Sequence, residues 1–139
     1  VSENIKYKKD AAGHERIKSP AMTIYDKYGD CKSFSVLIAS FLKNHGIEYY
    51  YRFTGYPGDR NFTHVYVVAQ LDNGRDIILD GTYDLFNREV AYSFKRDIPP
   101  GGSLEGINGQ KEGTNIKKIL GAIALFFIGA SLLNSDYAD

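Results

Sequence analysis

Three side chains in this sequence have the chemical types of a nucleophile, a base and an orienting acid: Cys31, His64 and Asp80. A thiolate attacks a carbonyl carbon, an imidazole takes up and returns a proton, and a carboxylate holds the imidazolium in place. Cys31 is the only cysteine of the chain, which leaves no internal disulfide and no Cys-rich zinc site to account for it. It falls at the first turn of an expected helix, where unpaired backbone N–H groups and the positive end of the helix dipole favour thiolate over thiol. A thiol at such a place also fits a small packed side chain, since most free cysteines are buried and inert. His64 and Asp80, taken singly, equally fit a strand-edge histidine and a turn carboxylate. The chemistry of the three together calls for no cofactor and no metal. His14 and His45 are assigned to the surface, the second at a helix C-terminus that favours its positive form.

The elements that must position these groups are legible around them. Ser19-Pro20 reads as an N-cap followed by proline at the first helical position, so a short helix is expected over 20–27. Asp30 is an N-cap for a second helix from Cys31 to Asn44, with Gly46 as its left-handed stop. Phe34, Leu37, Ile38, Phe41 and Leu42 recur at helical spacing and form its apolar stripe. Residues 47–53 read as a strand, Thr54 to Asn61 as a loop, Phe62 to Leu71 as a second strand and Asp76 to Asp80 as a third. A further strand is expected within 88–96. Residues 1–15 are polar and without period and read as an arm. Asp10, Asp26 and Asp59 read as solvated surface charges.

The turn between the second and third strands decides whether His64 and Asp80 can meet. A two-residue Asn73-Gly74 loop would set them an odd number of residues out of opposition and turn them to opposite faces. A three-residue loop, Asp72-Asn73-Gly74 with Gly74 left-handed, makes them diagonal neighbours on one face. The catalytic reading therefore requires the longer turn.

Gly29-Asp30-Cys31-Lys32-Ser33-Phe34-Ser35 resembles the Gly-Asp-Cys segment of the transglutaminase-like superfamily. Thr63-His64-Val65-Tyr66-Val67 is similar to its histidine strand, and Ile78-Leu79-Asp80-Gly81-Thr82 to its aspartate strand. The motifs stand in the family order and cover roughly residues 16–90. With Ser-Pro upstream and Thr-His-Val-Tyr in the middle, the chain is similar to the compact members encoded by phages and prophages. The resemblance implies an α+β, papain-like fold with the cysteine helix on a small antiparallel sheet. It also implies Cys31 as nucleophile, His64 as base and Asp80 as orienter, with the Cys31 N–H and Tyr28 as candidate oxyanion donors. Ser33 stands where many relatives are acidic, Gly81 where they have proline, and Ile77-Ile78 where a tryptophan often precedes the aspartate. These departures spare the three residues and leave the substrate open.

The 139 residues suffice for one domain, with 43% hydrophobic and 24% charged residues in keeping with a globular chain. Seventeen basic and seventeen acidic side chains cancel, which offers no electrostatic reason to expect nucleic acid. The expected organisation is an arm (1–15), a domain (16–98), a Gly-rich linker (99–116) and an apolar helix (117–134). The chain begins at Val1 with no charged-then-apolar leader to read. Ile119 to Leu133 holds no charged residue; as a helix its fifteen residues span about 22 Å, short of the ~30 Å hydrocarbon core. A membrane anchor with Lys117-Lys118 snorkelling on the cytoplasmic side is the expectation, and a helix buried against the domain or a virion protein is the alternative. Expected partners are a protein or peptide substrate, with membrane or virion contact through 117–134. Three functions compete: a cysteine-dependent hydrolase or acyltransferase, a phage assembly component, and a tethered domain with an idle triad.

Overall fold

The computed structural model describes residues 3–11 and 13–101. The linker beyond residue 101 and the apolar segment 117–134 lie outside the described residues. Among the described residues no helix is long and apolar enough to cross a membrane.

The fold is α+β. Helix α1 (Pro20–Asp26) starts where the Ser19 hydroxyl accepts the Met22 N–H at 3.2 Å, and it ends at Lys27 in a left-handed conformation. Helix α2 (Cys31–Asn44) starts where the Asp30 carboxylate accepts the Ser33 N–H at 3.0 Å. It stops at Gly46, with φ of +66°. A four-stranded antiparallel sheet follows, made of β3 (Glu48–Gly55), β4 (His64–Gln70), β5 (Asp76–Leu79) and β6 (Phe94–Ile98) in the spatial order β5-β4-β3-β6.

Val36 and Ala39 of α2 pack on Tyr49, Tyr51 and Phe53 of β3, Val65 and Val67 of β4, and Ile98 of β6. This corrects the expected stripe: Phe34 and Leu37 are buried but belong to a second cluster with Ile5, and Phe41 is 50% exposed. The helix is covered on two sides, so its buried surface is broader than one stripe and takes in small residues where backbones come close.

The 1–15 segment is also less irregular than its composition implies. Lys6–Tyr7 forms β1, pairing in parallel with β2 (Tyr28–Gly29), and Lys8 N–H donates to the Gly29 carbonyl at 2.8 Å. Two residues of strand are too short to leave a period in the sequence.

The last strand lies at 94–98, later than most of the 88–96 window. Its register against β3 is held by a charged pair directly opposite one another, Arg52 and Asp97. The buried guanidinium gives Asp97 two bonds, at 2.8 and 2.9 Å, a third to Glu89 at 2.7 Å, and a fourth to the Tyr50 hydroxyl at 2.8 Å. A bidentate pair of this kind is sensitive to a slip of one residue.

Gly55 is required where β3 meets β6. A Cβ there would lie 2.1 Å from the Phe94 ring. That ring packs edge-on against Phe62, which in turn meets Phe53. Gly55→Ala is expected to lower the unfolding free energy by about 1–3 kcal/mol, through overpacking, in urea denaturation. An unchanged midpoint would mean that Phe94 moves aside at no cost.

Candidate active site

Cys31 is the first residue of α2, partly buried beside the core. Its backbone N–H is one of the unpaired donors of the helix start. His64 is the first residue of β4. Val65 and Val67 face α2, so His64 and Tyr66 alternate to the other face, and only at the strand's end does the ring come within reach of Cys31. Asp80 follows β5 directly.

The β4–β5 hairpin has the register that the chemistry requires. Gln70 opposes Asp76 and Val67 opposes Leu79. The loop is Asp72-Asn73-Gly74, Leu71 N–H donates to the Arg75 carbonyl at 2.9 Å, and Gly74 has φ of +77°. His64 and Asp80 are thereby diagonal neighbours, and His64 Nε2 lies 2.6 Å from Asp80 Oδ2. Their side chains are only 12% and 6% exposed. With Nε2 engaged, Nδ1 is the nitrogen left for the Cys31 sulfur, which lines the same cleft.

The electrostatics follow from these contacts. Burial opposes the imidazolium, but the Asp80 carboxylate and the neighbouring Cys31 outweigh it, and the His64 pKa is pushed up from 6.5 to about 9. Asp80 has its other oxygen committed as well: Oδ1 accepts the Thr82 N–H at 3.1 Å and the Thr82 hydroxyl at 2.7 Å. Thr82 ends the aspartate motif with no role assigned to it from the sequence, although an Asp-x-Thr spacing is a signal for this local turn. Gly81 accounts for the missing proline. A Cβ there would sit 3.1 Å from Phe34 and 3.2 Å from Ile38, so the chain leaving β5 lies hard against α2. Tyr56, Tyr66 and Tyr83 surround the imidazole with ring centroids at 6.3, 5.6 and 6.2 Å.

Cys31 and His64 open onto a cleft of about 270 Å³ with Phe53, Phe62 and Val65 among its apolar lining. Its polar end is an ion cluster around a buried lysine. Lys32, 5% exposed, binds Asp30, Glu15 at 2.7 Å and Asp10 at 3.6 Å. The three carboxylates crowd together, and the ammonium is their common cation. Burial disfavours that charge, yet the bonds to Asp30 and Glu15 raise its pKa. Asp10 is thus part of the cleft rather than a solvated surface charge. Asp59 is likewise built into the fold, where it accepts the Tyr56 N–H at 2.8 Å and the Thr63 hydroxyl at 2.6 Å and so closes the loop that delivers His64. Asp26 pairs with Lys18 at 2.7 Å. His14 and His45 are exposed, as expected.

Tyr28 is not where an oxyanion donor would stand. Its ring lies under the Lys18 ammonium, 3.1 Å from centroid to nitrogen, and it does not line the cleft. The pairing of β2 with β1 turns it outward and brings Tyr7 to the cleft instead.

Fold and site together define an α+β domain in which a helix-borne thiol and an imidazole share one cleft and a carboxylate holds the imidazole. A family model described as a transglutaminase-like domain matches residues 1–93, about two thirds of the chain, and the chain belongs to that family. The match begins at residue 1 and so takes in the β1 arm as well as the three motifs. No curated protein and no solved structure matches the chain.

Because the folded His64 pKa lies above its ordinary value, its stabilising contribution is complete below about pH 6.5 and is lost as pH rises through about 9. An NMR titration of the His64 ring is expected to show a midpoint near 9. In Asp80→Asn the midpoint is expected to fall, since the charged partner is gone. A wild-type midpoint near 6.5 would contradict this geometry.

Proposed function

We propose that this domain is a cysteine-dependent acyl-transfer or amide-hydrolysing enzyme of papain-like architecture, with Cys31 as nucleophile, His64 as base and Asp80 as orienter. The observation that carries the reading is the position of His64, which bonds Asp80 through Nε2 at 2.6 Å and lines the same cleft as Cys31. A base within reach of the nucleophile, held by a third group, is the geometric signature of an activated nucleophile.

The steps follow from the groups present. The Cys31 sulfur gives its electron pair to a carbonyl carbon, and the carbonyl π pair moves onto oxygen. The oxyanion collapses as His64 Nδ1–H protonates the departing amine, leaving an acyl-thioester and a neutral imidazole. In the second half, His64 takes a proton from water or from an amine as that nucleophile attacks the thioester. Sulfur leaves with its electron pair, and either a carboxylic acid or a new amide departs. Asp80 stabilises the imidazolium at both stages without taking the proton.

A protein or peptide substrate fits an open cleft whose apolar surface lies next to the thiol. The uncharged run 119–133 supports a further part of the reading, that segment 117–134 holds the domain at a membrane or a particle surface.

Acylation by 4-nitrophenyl acetate tests the reading without knowledge of the substrate. One equivalent of 4-nitrophenolate is expected in a burst, with the acetyl group on Cys31. Cys31→Ala abolishes the burst, His64→Ala slows it at least about 10²-fold, and Asp80→Asn slows it by an intermediate factor. Equal acylation in wild type and His64→Ala would reduce the triad to a structural cluster.

A further inference from the structure

The proposed chemistry needs a second donor for the oxyanion, and the structure offers one in the N-terminal strand. One donor is the Cys31 backbone N–H at the start of α2. The chain holds no tryptophan, and the Tyr28 ring is committed to Lys18. Tyr56 stands beside the imidazole but does not line the cleft. Among the described residues, the one tyrosine that lines the cleft with Cys31 and His64 is Tyr7.

Tyr7 is placed there by several independent contacts. Its backbone pairs with Gly29, two residues before Cys31. Its ring packs edge-on against Phe34 of α2, with centroids 6.2 Å apart. Asp10 and Glu15, farther along the same arm, are tied to Lys32 and hold the arm against the start of α2. The side chain is 49% exposed and lines the cleft with Cys31 and His64. Its hydroxyl has no hydrogen-bond partner among the described residues.

Resting on the acyl-transfer reading above, we infer that the Tyr7 hydroxyl is the second oxyanion donor, a catalytic group supplied by the N-terminal strand rather than by the helix or sheet. When the Cys31 sulfur bonds to the carbonyl carbon, the π pair moves to oxygen and the phenol O–H donates a hydrogen bond to it. Collapse restores the carbonyl and breaks that bond, and no proton is transferred. Burial and the neighbouring Cys31 charge both raise the Tyr7 pKa, so the phenol keeps its proton at neutral pH.

Tyr7→Phe removes the donor and keeps the ring that packs on Phe34. Two rates are measured on the full chain: acylation by 4-nitrophenyl acetate, which forms an oxyanion, and alkylation of Cys31 by iodoacetamide, which forms none. Acylation is expected to fall about 10²-fold while alkylation stays within about twofold of wild type. Unchanged acylation in Tyr7→Phe overturns the inference and leaves the triad reading intact. An equal fall in both rates also overturns it, since Tyr7 would then act on the thiol or on the fold. A wild-type protein whose Cys31 is alkylated but never acylated overturns both readings.

Discussion

The hydrogen bond between His64 and Asp80 depends on the length of the turn that joins their strands, and nearly every feature of the site follows from it. Had the loop at 72–74 been one residue shorter, every side chain of β5 would have exchanged faces. Leu79 would have left the core and Asp80 would have faced α2. The positive φ of Gly74 is therefore as much part of the site as the imidazole. Thr82 then fixes the remaining carboxylate oxygen, and Gly81 lets the backbone press against Phe34 and Ile38. A carboxylate so enclosed has little freedom to present any other geometry to the ring.

At the other side of the cleft Asp30 serves two elements at once. One of its oxygens caps α2, and the other meets Lys32, which reaches back to Glu15 and Asp10. Helix start, Cys31 and N-terminal arm are thus joined through a single buried carboxylate. Removing one member of such a cluster leaves an uncompensated charge, which costs far more than the pair contributes when intact. The arm is in this sense a wall of the cleft.

What the sequence makes legible is what local chemistry determines. The Ser19 and Asp30 caps, the stop at Gly46 and the Asp72-Asn73-Gly74 turn are each written in two or three adjacent residues, and each stands in place. Cys31, His64 and Asp80 can be singled out because their types are chemically distinctive. The contacts that the sequence hides join distant residues of ordinary type. Lys32 has no local mark separating it from the many surface lysines, and Arg52 meets Asp97 only after β6 has docked. β1 is hidden because two residues cannot show a period, and Tyr7 is hidden with it. The breadth of the buried face of α2 is concealed for a related reason: periodicity finds the large apolar residues and passes over Ala39 and Ser35, where the close approach occurs.

The pairing of Arg52 with Asp97 bears on how the domain matures during synthesis. Cys31, His64 and Asp80 are all made before β6, yet the guanidinium on the outer face of β3 lacks two of its bonds until residue 97 arrives. A nascent chain that ends short of β6 has one edge of β3 unpaired and a half-neutralised cation to desolvate. Seating of the 94–98 strand therefore supplies the missing edge pairing and the missing counter-charge in one step.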